Sequence, residues 1–214
     1  MFFTRKLISR MRTCKTTITK EELNEFPHEF YPGSIVVVDT MLLFQNSMKF
    51  LNQQKIVGID TETKPVFTKG KKNKVALLQI SNEDVCFLFR LNHIGFPDEM
   101  NRFFSNPNII KIGLSLKDDF LMLRARCSSF EPRGFIDLQD YVRIFGVEDS
   151  SLQKIYALLF GKKISKSQRL SNWEAEQLTP GQQNYAALDA YACLKIYFEL
   201  NDENVIFLPN IEEE

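Results

Sequence analysis

The chain has 214 residues, 44% hydrophobic and 25% charged. These are ordinary globular values, and the length can bury a full core, so one domain plus a short extension is predicted. Lys+Arg and Asp+Glu both number 27, giving a net charge of zero; bulk electrostatics neither favours nor excludes nucleic acid, and any such binding must come from local basic clusters. Cys14, Cys86, Cys127 and Cys193 are far apart, with no CxxC pair and only His28 and His93 beside them. That argues against a zinc site and predicts a reduced, intracellular setting. No apolar run approaches membrane-spanning length. The 19 phenylalanines are scattered through periodic segments and predict core packing.

The first twenty residues carry Arg5, Lys6, Arg10, Arg12, Lys15 and Lys20 with no acid. The pattern fits an organelle transit peptide or a frayed basic arm, the second being the plainer reading. Thr19 and Glu22 form a capping-box signature for a short helix over 20–26, which Pro27, Pro32 and Gly33 break. Ile35–Val38 reads as a strand and 41–53 as a helix with Phe44, Met48 and Leu51 on one face. Lys55–Asp60 is a strand whose nearly continuous apolar run predicts burial on both faces.

The loop Lys64–Lys74 carries Lys69, Lys71, Lys72 and Lys74. It could contact a duplex or structured RNA, although exposed lysine loops usually do nothing specific. Val75–Ile80 and Val85–Phe89 predict a hairpin. A helix over 98–105, a strand Ile109–Gly113, a helix Leu116–Arg126, a short strand Phe135–Asp137 and a helix 138–144 follow. Ser150 and Gln153 predict a second capping box, opening a helix with Leu152, Ile155, Tyr156 and Leu159 on one side and ended by Gly161. Thr179, Pro180 and Gln182 mark the start of a long helix to about Leu200. The acidic tail Glu212–Glu214 is expected to be disordered. The order of elements predicts an α/β domain with a mixed sheet. It is expected over 55–200, with 1–54 as an extension packed on it and 201–214 as a tail.

Asp60 and Glu62 end the first core strand. Residues i and i+2 share a face, so two carboxylates project together from the strand's C-terminal end, where open α/β sheets bind ligands. Adjacent carboxylates repel unless a cation or proton lies between them; a solvated strand end is the alternative. On the helix from Leu116, Asp119 lies roughly 60° from the apolar stripe's centre and Asp118 roughly 160° away. Asp119 therefore leans toward the sheet, the alternative being a surface ion pair with Arg126. On the last helix, Asp189 lies within the stripe of Tyr185, Leu188, Ala192 and Ile196. A buried carboxylate persists when it binds a metal or a fixed donor.

Together the four acids suggest a hard-cation site suited to Mg²⁺ or Mn²⁺. Two such ions roughly 3.5–4 Å apart could activate water and stabilise the leaving oxygen in phosphodiester hydrolysis, with Tyr185 orienting the water. Lys162, Lys163, Lys166 and Arg169 precede Trp173. They predict a loop that guides a strand, with Lys166 and Arg169 nearest the scissile phosphate; an ordinary solvated loop is the equal alternative. Trp173 is read as a core anchor.

Three segments resemble the exonuclease motifs of the DEDDy family, the ribonuclease D and Werner-helicase exonuclease type. They are Gly58-Ile-Asp-Thr-Glu-Thr63, Lys111-Ile-Gly-Leu-Ser-Leu-Lys-Asp-Asp119 and Tyr185-Ala-Ala-Leu-Asp-Ala-Tyr-Ala192. Val75-Ala-Leu-Leu-Gln-Ile80 and Ser171-Asn-Trp173 also look like family segments, and the resemblance covers about 55–200. It implies a ribonuclease H-like mixed sheet flanked by helices and two divalent ions on Asp60, Glu62, Asp119 and Asp189. It further implies 3′-5′ hydrolysis of DNA or RNA strands, from a single strand or 3′ end, to nucleoside 5′-monophosphates. Asn184, where the histidine subclass carries His, makes this the tyrosine type with Tyr185. Leu114 and Ser115 depart from the His or Asn common after Gly113. The length leaves no room for a helicase or accessory domain, so targeting is expected to come from elsewhere. A nucleic-acid-binding adaptor that lost hydrolysis is the alternative function.

Overall fold

Seven consecutive buried positions, Val75–Ser81, form the centre of the molecule. The computed structural model describes residues 12–66, 73–202 and 205–207. Its elements are β1 (Arg12–Cys14), α1 (Lys20–Glu25), β2 (Ser34–Val38), α2 (Met41–Leu51), β3 (Ile56–Thr63), β4 (Val75–Ser81) and β5 (Val85–Arg90). These are followed by α3 (Leu91–Ile94), α4 (Asp98–Ser105), β6 (Ile110–Gly113), α5 (Leu116–Arg124), β7 (Phe135–Asp137), α6 (Leu138–Tyr141), α7 (Leu152–Phe160), α8 (Pro180–Leu200) and β8 (Val205–Phe207). The main sheet has six strands in the order β2-β5-β4-β3-β6-β7, and β1 pairs with β8 apart from it. β4 runs antiparallel to both β3 and β5, whereas β2–β5, β3–β6 and β6–β7 are parallel. The predicted mixed sheet is therefore present. The expected extension takes part in it: Ser34–Val38 pairs with Val85–Phe89 and closes one edge.

Helices cover both faces. Phe44, Met48 and Leu51 of α2 pack with Phe103 and Phe104 of α4 and Leu116 and Leu123 of α5 on one side. Tyr156 of α7 and Ala186, Ala190 and Ile196 of α8 pack on the other. The helix starts at Thr19 and Thr179 close as predicted, each with a reciprocal capping box. The one expected at Ser150 does not form: the N-cap is Ser151 and makes no side-chain cap bond. The Gln153 amide instead donates to the carbonyl of Ile164, a tertiary partner that outcompetes the local one. The predicted helix 138–144 is α6 followed by a 3₁₀ turn over Val142–Phe145, where Gly146 in the left-handed region ends it. The basic residues of 1–11, Lys69–Lys72 and the acidic tail lie outside the described residues.

One contact sets how closely α8 lies on the sheet. A Cβ at Gly58 would stand 2.0 Å from the carbonyl oxygen of Ala190. Backbone therefore meets backbone where β3 crosses α8, two residues before Asp60 and one after Asp189. Because the obstacle is a helix carbonyl, neither side can yield by rotating a side chain. Gly58→Ala is expected to destabilise the fold by about 3 kcal/mol, the upper range for overpacking, measured by urea denaturation; wild-type stability in this variant would contradict the contact.

Candidate active site

Even-numbered residues of β3 face α8, so Asp60 and Glu62 project beneath it while Val57 and Ile59 join the opposite core. From α8, Asp189 points back at them and is only 6% exposed. Carboxylate oxygens of Asp60, Glu62 and Asp189 all lie within 4.8 Å of one another. Among the described residues, none of the three is in an ion pair with a Lys, Arg or His side chain.

Asp119 reaches the site differently. Thr61, pointing to the other face of β3, donates its hydroxyl to Asp119 Oδ1. Asp119 is thereby fixed at the strand's flank, outside the group of three but near enough for its charge to act on both Asp60 and Glu62. Asp118 is exposed, as the helix geometry predicts. Arg126 does not pair with Asp119; it donates to Val75 O, Leu91 O and Asn92 Oδ1. The start of α5 is built by Asp137, whose two carboxylate oxygens accept from the backbone N–H groups of Ser115 and Leu116, both at 2.8 Å. Ser115 sits in the left-handed region with φ 62°, where Asn is more at ease than Ser. Asp137 and Thr61 went unassigned in the sequence reading. Spacing alone carries no sign of either, because each acts on a residue more than twenty positions away.

Burial holds all four carboxyls above their ordinary range, and neighbouring acids add to it for Asp60, Glu62 and Asp119. Desolvation leads in every case. Asp60 is pushed well up, with the charges of Asp189, Glu62 and Asp119 adding to the effect. Glu62 rises to about 9, Asp189 to about 7 and Asp119 to about 6. Such a cluster retains protons unless a cation replaces them. The residues present suit a hard divalent ion: the donors are all oxygen, the carboxyls are desolvated, and among the described residues no Lys, Arg or His is ion-paired with Asp60, Glu62 or Asp189.

Tyr185 lies one turn before Asp189, and its hydroxyl lies near enough to that carboxyl to oppose the effect of burial there. Its ring stands 6.0 Å from Trp173, which is fully buried and is the core anchor expected. The Ser171–Trp173 segment is tied to α8 by Gln182, whose amide donates to Asn172 O at 3.3 Å. Arg90, 3% exposed, holds the next stretch through Ala175 O and Glu176 O.

The basic loop divides in two. Lys162 is 3.1 Å from Glu29 and Lys163 donates to Asn24 O, so both serve the fold. Lys166 and Arg169 lie near enough for their charge to ease Asp189 and Glu62 respectively.

A 3′-5′ exonuclease family model matches residues 35–204. The mouse (Mus musculus) protein named bifunctional 3′-5′ exonuclease/ATP-dependent helicase WRN is 32% identical over 214 residues, covering 94% of this chain and 15% of that one. Ribonuclease D of Haemophilus influenzae is 27% identical over 205 residues, covering 95% of this chain and 47% of that one. The chain thus spans less than half the length of either relative. The crystal structure of the Aedes aegypti Nibbler EXO domain has the same fold, with a TM-score of 0.71 at 24% identity over 77% of this chain and 86% of that one. The six-stranded sheet and its helices are accordingly ribonuclease H-like, and the chain belongs to the 3′-5′ exonuclease family of DEDDy type.

Proposed function

We propose that the chain shortens nucleic-acid strands from the 3′ end, hydrolysing the terminal phosphodiester bond and releasing nucleoside 5′-monophosphates. The observation that carries this is the trio of desolvated carboxylates within 4.8 Å of one another, none of them in an ion pair among the described residues. Asp60, Glu62, Asp119 and Asp189 would hold two Mg²⁺ or Mn²⁺ ions, which lower the pKa of a bound water and stabilise the leaving oxygen. The chain's own groups do the rest. Thr61 occupies one oxygen of Asp119 and fixes which oxygen is free. Burial beside Asp189, Glu62 and Asp60 raises the Tyr185 hydroxyl's pKa, so it stays protonated and can donate to the attacking water or a phosphate oxygen. Lys166 and Arg169, near enough for their charge to act on Asp189 and Glu62, would hold the phosphates beside the reacting one.

Asp189→Asn and Asp60→Asn separate catalysis from stability. Each removes one of the repelling charges, so the metal-free variant should melt at or above the wild-type temperature. Mg²⁺-dependent release of mononucleotides from a 5′-labelled strand should fall below detection. Strand shortening by either variant at the wild-type rate would defeat the assignment. Strand binding indifferent to Mg²⁺, with no mononucleotide from the wild type, would identify an adaptor instead.

The raised pKa values fix a pH dependence. Each carboxyl keeps its proton to higher pH in the folded chain than in the unfolded one. From the ordinary carboxylate range near about 4 up to the Glu62 value of about 9, the unfolded chain is the first to lose protons, so metal-free stability falls as pH rises. Calorimetry should show the melting temperature declining across this window, and Mn²⁺ restoring more of it at pH 8 than at pH 5. An Mn²⁺ increment independent of pH would contradict carboxylate binding.

Lys166→Met and Arg169→Met should each weaken strand binding and lower the slope of log affinity against log salt by about 1. Anisotropy titrations at several salt concentrations test this, and an unchanged slope would remove the residue from the phosphate path.

A further inference from the structure

Beside the carboxylates, α8 borders a second space that their chemistry does not use. It is an open cleft of about 290 Å³, near the lower end of ligand-sized sites. Three separate segments line it: His28 and Phe30 ahead of β2, Ser165 and Gln168 after α7, and Asn184 and Tyr185 on α8. Tyr185 belongs to both places, lining the cleft while its hydroxyl lies near the Asp189 carboxyl.

Phe30 is 68% exposed, yet the backbone just ahead of it is held, and its own N–H donates to Glu29 Oε1 at 3.2 Å. The N–H of Glu29 donates to Lys163 O and the N–H of Lys163 to Pro27 O, both at 2.9 Å. Among the described residues Glu29 is the one carboxylate lining the cleft, and it would repel a phosphate if left bare. It accepts from the Tyr156 hydroxyl at 2.9 Å and from Lys162 at 3.1 Å, and Lys195 lies 3.8 Å away. Its charge is thus spent on anchoring the segment. An exposed aromatic on a fixed backbone is a preorganised stacking surface, because little freedom is lost when a second ring lies on it. Around it, the Asn184 amide offers donors and an acceptor, while the Ser165 hydroxyl, which donates to Ser167 Oγ at 3.0 Å and accepts from the Ser167 N–H at 3.2 Å, keeps one lone pair to accept. The loop that supplies Ser165 also supplies Lys166 and Arg169.

Charge along a backbone with an aromatic set beside it is how proteins hold single strands. We propose that this cleft is a nucleobase subsite, in which the base of a nucleotide neighbouring the scissile bond stacks on Phe30 and presents its edge to Asn184 and Ser165. This rests on the nuclease reading, since the shared Tyr185 and the cations of the loop are what direct a strand into the cleft. The ligand chemistry is a nucleobase on a single strand, whether RNA or DNA.

The test is fluorescence anisotropy of the full chain with 5′-labelled eight-nucleotide single strands, one arm RNA and one DNA, in Ca²⁺. Phe30→Ala should bind about tenfold more weakly in at least one arm, within the range for base stacking on an aromatic. Phe30→Trp should recover the loss. Ile144→Ala removes an apolar side chain 76% exposed outside the cleft and should bind as the wild type does. In the affected arm, an abasic site at one of the last four positions should weaken binding to the wild type by the same factor and add no loss in Phe30→Ala. Binding within twofold of wild type by Phe30→Ala in both arms, an abasic loss that persists undiminished in that variant, or no binding in either arm would overturn the subsite. Strand shortening in Mg²⁺ is scored separately. A protein that cleaves but is indifferent to Phe30 loses only the subsite, and one that stacks a base on Phe30 but releases no mononucleotide loses only the nuclease reading.

Discussion

The close approach of α8 to β3 at Gly58 is the constraint on which the site depends. A side chain at position 58 of β3 would lift the helix off the sheet and leave Asp189 out of reach of Asp60 and Glu62. With no Cβ at Gly58, the helix backbone descends onto the strand. Its carboxylate then arrives within 4.8 Å of the other two. The same descent removes water. Proximity and desolvation therefore have a single cause, and each makes the other more costly for ionised groups.

An arrangement that repels itself needs a frame to hold it. Here the frame is the fully buried β4 on one side of β3 and a second layer of helices beneath. Positions around the acids are tied to distant chain: Asp119 through Thr61, the start of α5 through Asp137, and the Trp173 segment through Gln182. These bonds keep the carboxylates from relaxing apart when they ionise, the condition under which a divalent ion gains most from binding between them.

Much of this was readable from periodicity and local chemistry. The i, i+2 relation of Asp60 and Glu62 fixes their common face whatever the tertiary fold. The 100° helical step likewise separates Asp119 from Asp118, because α5 is regular through both. Thr19 and Thr179 cap as expected, since their partners are three residues away and nothing competes. The sequence misled where a distant group intervened. Gln153 has the spacing for a capping box but spends its amide on Ile164. Lys162 and Lys163 look like substrate-facing cations in a basic run, yet one answers Glu29 and the other the end of α1. Thr61 was invisible because its role is defined by a partner 58 residues on.

The segment before β2 shows why such long-range ties matter for function. As sequence it reads as a break between elements, two prolines and a glycine after a short helix. In the fold, Glu29 becomes the shared acceptor of Tyr156 from α7 and Lys162 from the following loop, with Lys195 of α8 close by. Three elements converge on one carboxylate. The loop bearing Lys166 and Arg169 is therefore held between α8, which carries Tyr185 and Asp189, and a segment that contributes nothing to the metal chemistry. A loop anchored at both sides keeps Lys166 and Arg169 near enough for their charge to act on Asp189 and Glu62, and on the proposed reading such anchoring would lower the entropic cost of engaging a flexible strand. Residues remote in sequence from the four acids thus help set how a phosphate would be presented to them.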